Sequence, residues 1–253
     1  MRITFLGTGT SQGVPMIACT CRVCSSADPR DKRLRSSVLL EVDGKNIVID
    51  TTPDFRMQML QAHVRHLDAV LITHSHKDHI AGMDDVRAFN YFQQSPIDIY
   101  ATHAAQEVIT REFAYAFAEV KYPGVPDIRL NTVDEQPFDV KGVEVIPIRV
   151  WHYKMPVLGF RIGDFTYITD ANRIQDEEKA KIKGSAVLVL NALRKEPHIS
   201  HFSLDEALAL ADELSVPQVY FTHISHQMGL HAEVNQQLKP GRALAYDGLV
   251  LEL

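Results

Sequence analysis

The sequence predicts an α/β fold in which two β-sheets pack together with helices outside them, an αββα sandwich. Two strand-rich blocks, each followed by helices, indicate that arrangement. Hairpin signals inside the blocks indicate antiparallel strand pairs, so the pattern by itself establishes a mixed α/β class. We find no internal repeat, low-complexity tract or linker, and residues 1–253 are therefore expected to form one domain.

Hydrophobic periodicity and turn residues place the elements in order along the chain. A hairpin is predicted at residues 37–50, because two β-rich runs flank Asp43-Gly44, a pair that tolerates the positive φ angles of a tight turn. Thr52 is predicted to cap a helix that ends near His66. The remaining predicted elements are strands at residues 2–6, 69–72, 97–101, 143–150, 157–162, 165–169, 186–190, 219–222 and 249–253, and helices at 84–92, 104–117, 175–183, 203–214 and 232–238.

The composition excludes several functional classes. Hydrophobic residues make up 45% of the chain and charged residues 23%, which is ordinary for a globular protein. The formal net charge of −6 gives no electrostatic basis for binding nucleic acid. No apolar run approaches the ~18 residues of a membrane span, and the first residues lack the apolar centre of a signal peptide. We therefore expect a cytoplasmic protein with no membrane partner.

The stretch from Ala69 to Gly82 concentrates candidate metal ligands. A short apolar run at its start is typical of a buried strand. Four side chains of the kind that bind zinc, manganese or iron follow within six residues. They are His74, His76, Asp78 and His79. A lone histidine is more often a surface or packing residue, but four ligands at this spacing predict a metal site.

All three cysteines of the chain lie in one six-residue segment, Cys19-Thr-Cys-Arg-Val-Cys24. An odd number of close cysteines is poorly suited to a disulfide framework. Three thiolates in the loop at about residues 15–35 instead resemble three-quarters of a tetrahedral zinc site, which would need a fourth ligand from elsewhere. The alternative is a trio of free thiols.

Three further candidates follow predicted strands: His152, Asp170 and His223. Each alone could have a plainer role, in packing or in capping a helix. Together with the first cluster they provide five histidines and two aspartates, which is enough for two metals. The remaining histidines are interpreted as surface or packing residues, with a substrate role as the alternative for the last of them: His63, His66, His103, His198 and His231.

The segment His74-Ser-His-Lys-Asp-His79 resembles the HxHxDH signature of the metallo-β-lactamase superfamily, and the later ligands match in order and context. The resemblance implies an αββα fold with two metals at one edge of the sheets. It implies one metal on His74, His76 and His152, a second on Asp78, His79 and His223, and Asp170 as the bridge between them. It also implies that Asp50 orients ligands.

More closely, the chain resembles the phosphoribosyl 1,2-cyclic phosphate phosphodiesterases of the carbon–phosphorus lyase pathway. The motifs are Gly7-Thr-Gly9, Gln12-Gly-Val-Pro15, the cysteine segment, Leu71-Ile-Thr-His74 and Thr222-His-Ile-Ser-His-Gln227. The resemblance implies a separate structural zinc on Cys19, Cys21, Cys24 and His226. It also implies a catalytic His201 and favours a homodimer. Residues 84–130, which should help to form the substrate wall, show no matching motif.

These residues predict a dinuclear metal-dependent phosphodiesterase acting on a small phosphate ester, cyclic or linear. Two zinc or manganese ions would lower the pKa of a bridging water, and the resulting hydroxide would attack phosphorus. His201 and the metal ligand Asp78 are the candidate catalytic residues, with His201 expected to act as an imidazolium. The alternatives are a lactone or thioester hydrolase, a transfer-RNA 3′-processing endoribonuclease, and a metal-binding protein without catalysis.

Overall fold

Fifteen strands form two β-sheets in a computed structural model that describes residues 1–253. The strands are β1 (Arg2–Gly7), β2 (Ser37–Val42), β3 (Lys45–Ile49), β4 (Ala69–Leu71), β5 (Ile97–Ala101), β6 (Ile128–Thr132), β7 (Phe138–Val140), β8 (Val143–His152), β9 (Met155–Ile162), β10 (Phe165–Ile168), β11 (Arg173–Ile174), β12 (Val187–Asn191), β13 (Gln218–Thr222), β14 (Arg242–Leu244) and β15 (Val250–Glu252). The first sheet has the order β15-β1-β2-β3-β4-β5-β6. The second has the order β11-β8-β9-β10-β12-β13-β14, with β7 paired to β8.

Seven α-helices cover the outer faces of the sheets. They are α1 (Phe55–Gln61), α2 (Lys77–Ile80), α3 (Arg87–Gln93), α4 (His103–Glu112), α5 (Asp176–Ile182), α6 (Leu204–Leu214) and α7 (His231–Gln237). Short 3-10 segments lie at Pro29–Asp31, Met83–Val86, Ala114–Ala116 and His226–Met228. None of these helices combines the length and the apolarity that crossing a bilayer requires.

Three apolar layers hold the fold together. The side chains of a strand alternate between its two faces, so each sheet contributes to two of these layers. Ile47 and Ile49 of β3 point into the layer between the sheets, where they join Tyr167 of β10. Val48, between them, belongs to the layer shared with the helices α1, α3 and α4. A third layer packs α5, α6 and α7 on the second sheet. The predicted αββα sandwich is confirmed.

Several sequence predictions need correction at their boundaries. The helix expected from Thr52 to about His66 begins at Phe55 and ends at Gln61. The Thr52 hydroxyl accepts from Asp54 N and donates to the Gln58 side chain before the helix begins, and His63, with a φ of 54°, follows its end in a left-handed conformation. The strand expected to end at residue 150 continues to His152. Strands β6, β7, β11 and β14 were not predicted. All four are short, at two to five residues, and each contains at most two apolar residues, which is too few to define a periodicity.

The fold brings the carboxyl ends of several strands to one edge. Strands β10, β12 and β13 are parallel neighbours, and β3 and β4 are parallel neighbours in the other sheet. A hydrogen bond of 3.0 Å from Leu158 N to Thr73 O links the two sheets at this edge. Positive φ angles occur at three residues that follow strand ends: 66° at Asp50, 55° at Asp170 and 57° at His223. Such left-handed turns are uncommon for residues other than glycine and often occur at functional sites.

Candidate metal centre

The segment after β4 places two histidines beside a third from β8. His74 is buried, and its Nε2 lies 3.1 Å from Nδ1 of His76. The ring of His152 has its centroid 5.2 Å from that of His76 and 5.9 Å from that of His74. Three imidazoles are thus gathered on one side of the edge, although His152 is far from the other two in sequence. We refer to His74, His76 and His152 as the first cluster.

A second cluster consists of Asp78, His79 and His223. Nε2 of His79 lies 3.2 Å from Oδ2 of Asp78, on the short helix α2. His223 follows β13 and stacks on His79 with the ring planes 13° apart. One ligand atom from each of these three residues and from Asp170 lies within 4.8 Å of the others. Two imidazoles and two carboxylates at this spacing suit a divalent cation.

Asp170 connects the two clusters. Its Oδ1 lies 3.0 Å from Nδ1 of His223 and 3.4 Å from Nε2 of His79, in the second cluster. Its Oδ2 lies 3.9 Å from Nε2 of His74, in the first cluster. Each oxygen of this buried carboxylate therefore faces a different set of histidines, which is the geometry that a bridging ligand needs.

The charges around His79 test whether a cation fits. Its Nδ1 is bonded to Asp50 at 2.7 Å, while its buried Nε2 faces two carboxylates and has no hydrogen-bond partner. Burial by itself would lower the pKa of His79, but Asp170, Asp50 and Asp78 outweigh it and raise that pKa well above its ordinary value. Three carboxylates around one buried ring favour added positive charge, and a divalent cation at Nε2 fits these donors.

Three threonines that were not predicted to belong to the site contact the candidate ligands. Thr73 donates its hydroxyl to Asp50 at 2.8 Å and lies 3.0 Å from Nδ1 of His74. Thr169 donates to Oδ1 of Asp170 at 2.6 Å. Thr10 has its hydroxyl 3.3 Å from Nε2 of His223. The signal was available, because threonine precedes the ligand in Thr73-His74, Thr169-Asp170 and Thr222-His223.

His201 lies at the edge of the paired clusters. Its Nδ1 is 3.9 Å from Oδ2 of Asp170, and its ring centroid is 4.6 Å from that of His152 and 4.8 Å from that of His223. Burial and the neighbouring His223 lower the pKa of His201 to about 3. This shift favours the neutral ring in the chain without bound metal, and the action of His201 as an imidazolium stays a prediction. A neutral ring in this position can still donate a hydrogen bond to a developing oxyanion.

The cysteine segment forms a separate group with His226. Nδ1 of His226 lies 3.2 Å from Sγ of Cys19, 3.4 Å from Sγ of Cys21 and 3.6 Å from Sγ of Cys24. The three thiols form no disulfide. A hydrogen bond from the Cys24 backbone amide lowers the pKa of Cys21 to about 6, which favours a thiolate. Three sulfurs and one imidazole converging on one point match the donor set of a structural zinc site.

His231 belongs to neither group of ligands. It is buried, its backbone N–H donates to Asp31 at 2.8 Å, and its Nδ1 lies 3.2 Å from the Arg33 guanidinium. That guanidinium also donates to Thr8 and to the Ala245 carbonyl. The structure therefore places His231 in a buried position against Asp31 and Arg33, apart from both groups of candidate ligands.

Comparison with known proteins identifies the family. Residues 45–224 match the family model described as a Beta-lactamase superfamily domain. The chain is 40% identical over 252 residues to a Porphyromonas gingivalis protein named octanoyltransferase. That match covers 98% of this chain and 51% of the relative, so the chain spans about half the relative's length.

Two solved structures extend the comparison. One, described as a new diphosphatase from the PhnP family, is 41% identical with a TM-score of 0.93, and the match covers 100% of this chain and 97% of that chain. The other, zinc-bound PqqB from Methylobacterium extorquens, has a TM-score of 0.78 at 21% identity over the full length of both chains. This second likeness is one of fold.

The matched superfamily domain, with candidate metal ligands gathered at one edge of its helix-covered sheets, defines a metal-dependent hydrolase. The chain belongs to the β-lactamase superfamily and, within it, to the PhnP family. The predicted fold and superfamily are confirmed, and so is the prediction of a metal-dependent hydrolase.

Proposed function

We propose that this chain is a phosphodiesterase that hydrolyses a small phosphate ester, cyclic or linear, with two divalent cations of zinc or manganese. The observation that carries the proposal is the position of Asp170, whose two carboxylate oxygens face different histidine clusters. The first cluster together with Asp170 would hold one cation, and the second cluster together with Asp170 would hold the other. When bound, such a pair activates water and polarises a phosphoryl oxygen.

The chain's own residues contribute orientation and hydrogen bonding. Asp50 and Thr73 fix the rings of His79 and His74, so that the ligand nitrogens keep one direction. His152 is held by the Ser200 carbonyl, 2.9 Å from its Nδ1. His201 would donate a hydrogen bond to the oxygen of the leaving group as charge develops there. These roles suit attack at a tetrahedral phosphorus next to Asp170.

A structural zinc on Cys19, Cys21, Cys24 and His226 is part of the same proposal. The loop at residues 15–35 has little regular structure, with one 3-10 turn, so a bound ion would stabilise it. The fourth ligand of this proposed zinc site, His226, lies three residues after His223. The same ion would therefore tie this loop to the edge where the paired clusters lie.

The PhnP-family relative supports hydrolysis at phosphorus, since it is described as a diphosphatase. A diphosphate linkage and a phosphodiester share a tetrahedral phosphorus and an oxygen leaving group. The substrate range that we propose therefore includes diphosphate diesters.

A second candidate is the hydrolysis of an acyl thioester or a lactone. The observation that favours it is the 40% identity to the relative named octanoyltransferase, half of whose length this chain spans. An activated water next to two cations can attack an acyl carbon as well as phosphorus. The name octanoyltransferase describes the whole relative, of which this chain matches 51%.

The test combines metal analysis with a substrate panel. The purified chain is analysed for metals and assayed with a cyclic ribose phosphate, a linear aryl phosphodiester, a diphosphate diester, a lactone, an octanoyl thioester and a precursor transfer RNA. We expect three metals per chain and turnover of one or more of the small phosphate esters. Asp170→Asn should abolish turnover, while the exposed His103→Ala should retain it. Turnover of the thioester or lactone alone would transfer the assignment to the second candidate.

A further inference from the structure

The two ends of the loop between β12 and α6 are joined by backbone hydrogen bonds. Leu193 N donates to Phe202 O at 3.0 Å, and Leu204 N donates to Arg194 O at 2.9 Å, which closes the loop. The Arg194 guanidinium donates to the carbonyls of Glu196 and Pro197 inside it. Hydrogen bonds to main-chain carbonyls at this density fix the positions of the side chains that the loop carries.

The same loop is attached to the metal centre and to the turn between β8 and β9. Asn172 accepts from Tyr153 N at 2.9 Å and donates to Ile199 O at 2.9 Å, so one side chain joins the turn to the loop. Ser200 O is bonded to the ring of His152 in the first cluster. Movement of the loop would therefore disturb a candidate metal ligand.

This loop places the ring of His198 beside the ring of His201. The two ring centroids are 5.2 Å apart, with the planes at 32°. Nδ1 of His198 accepts from Ser200 N at 3.3 Å, which leaves Nε2–H as a free donor. Burial and the nearby Arg194 lower the pKa of His198, which is consistent with this neutral tautomer. His198 therefore lies at the rim of the site with one unused hydrogen-bond donor.

The turn between β8 and β9, which Asn172 joins to the backbone of Ile199 next to His198, indicates which group His198 would meet. Tyr153 is 49% exposed and Ile199 is 66% exposed, although both are tied to the structure through Asn172. The Lys154 ammonium lies 5.3 Å from the centre of the Tyr153 ring on the same turn. A free N–H donor on the loop, with an ammonium and exposed apolar groups on the joined segments, suits an anionic group attached to an organic moiety.

We propose that His198 is a specificity-determining residue, whose Nε2–H binds a second phosphoryl group in the leaving group of the substrate. The proposal rests on the proposed function. It places the scissile phosphorus beside His201 and the adjacent phosphoryl group beside His198, with the organic part against Tyr153 and Ile199. The preferred substrates are then diphosphate diesters, and His198 would have a role in substrate binding in addition to the surface or packing role that the sequence predicts.

The experiment compares two variants on two substrates. His198→Ala removes the donor. His198→Asn retains an N–H donor, but on a shorter side chain. For a diphosphate diester such as ADP-ribose, we expect His198→Ala to raise KM about 10-fold to 100-fold with kcat nearly unchanged, as for one lost hydrogen bond to a charged group. For bis(p-nitrophenyl) phosphate, whose leaving group carries no phosphoryl group, both constants should stay at the wild-type values. His198→Asn should recover part of the loss.

A binding measurement separates this proposal from the proposed function. An α,β-methylene nucleoside diphosphate, which cannot be cleaved at the methylene bridge, is titrated into the metal-loaded wild type and His198→Ala. Weaker binding to the variant supports the subsite. Equal binding, or an equal fall in kcat on both substrates, overturns it, because His198 would then only support the loop. If the wild type binds the analogue more tightly than the variant but cleaves neither substrate, the proposed function fails and the subsite stands.

Discussion

Nδ1 of His79 lies 2.7 Å from Oδ2 of Asp50, and both side chains are buried. The same carboxylate accepts from the backbone N–H and the hydroxyl of Thr73, both at 2.8 Å. Asp50 thus directs Nε2 of His79 toward Asp78 and Asp170 without belonging to either cluster. A partner of this kind fixes the tautomer of a metal-binding histidine and makes it a better ligand.

Replacing Asp50 should weaken metal binding. Asp50→Asn keeps the shape but removes the negative charge beside His79, and we expect the affinity of the paired centre to fall about 10–100-fold. Competition against a chelating dye measures that affinity directly. Asp43→Asn, in the exposed turn between β2 and β3, is the matched control. Unchanged affinity in a folded Asp50→Asn protein would show that the contact does not orient the ligand.

His201→Ala should lower turnover without removing metal. The variant loses the hydrogen-bond donor beside Asp170, so kcat should fall at least about tenfold, given the usual size of acid–base and oxyanion effects. Metal content should stay at the wild-type value. His103→Ala, on the exposed surface of α4, controls for the loss of an imidazole. Wild-type kcat in His201→Ala would exclude His201 from the reaction.

Cys19→Ser should remove one zinc ion and destabilise the chain. Loss of one of four ligands should release the loop at residues 15–35, and we expect the stability to fall by at least about 1 kcal/mol, or about 2–4 °C in Tm for a chain of this size. Metal analysis should show two remaining ions in the paired centre. Ser25→Ala, in the same loop, is the control. A variant with the wild-type metal content and Tm would rule out the structural zinc.

The stability of the chain should depend on the ionisation of Asp247. This carboxylate accepts from Leu34 N at 2.6 Å and from the Thr8 hydroxyl at 2.7 Å, and burial raises its pKa to about 6. Because the folded chain binds this proton more tightly than the unfolded chain does, folding stability should fall as the pH rises through about 6. Asp247→Asn cannot ionise, so its stability relative to the wild type should improve by about 1 kcal/mol from pH 5 to pH 7.

Urea unfolding of both proteins at several pH values measures this difference. Asp164→Asn, in the exposed turn between β9 and β10, should show no such trend. A stability difference between Asp247→Asn and wild type that is constant with pH would mean that burial does not perturb this carboxyl group.

Much of the fold could be predicted because its strands are strongly patterned. The hairpin β2–β3 has Asp43-Gly44 with φ angles of 49° and 73°, as the sequence predicted, and the capping box of Ser203 and Glu206 begins α6. The short strands β6 and β14 escaped prediction because their existence depends on neighbours, β5 and β13, that supply hydrogen bonds rather than on their own pattern.

The sequence by itself determined the kinds of ligand and their local spacing. Residues from His74 to His79 must lie close together because six residues cannot separate far, and their chemistry is that of metal ligands whatever the fold. Only the tertiary structure decided how distant residues combine. It placed the two oxygens of Asp170 toward different clusters and His226 beside Cys19, 207 residues earlier in the chain. Those positions depend on sheet register and on left-handed turns at the strand ends, which the local pattern does not encode.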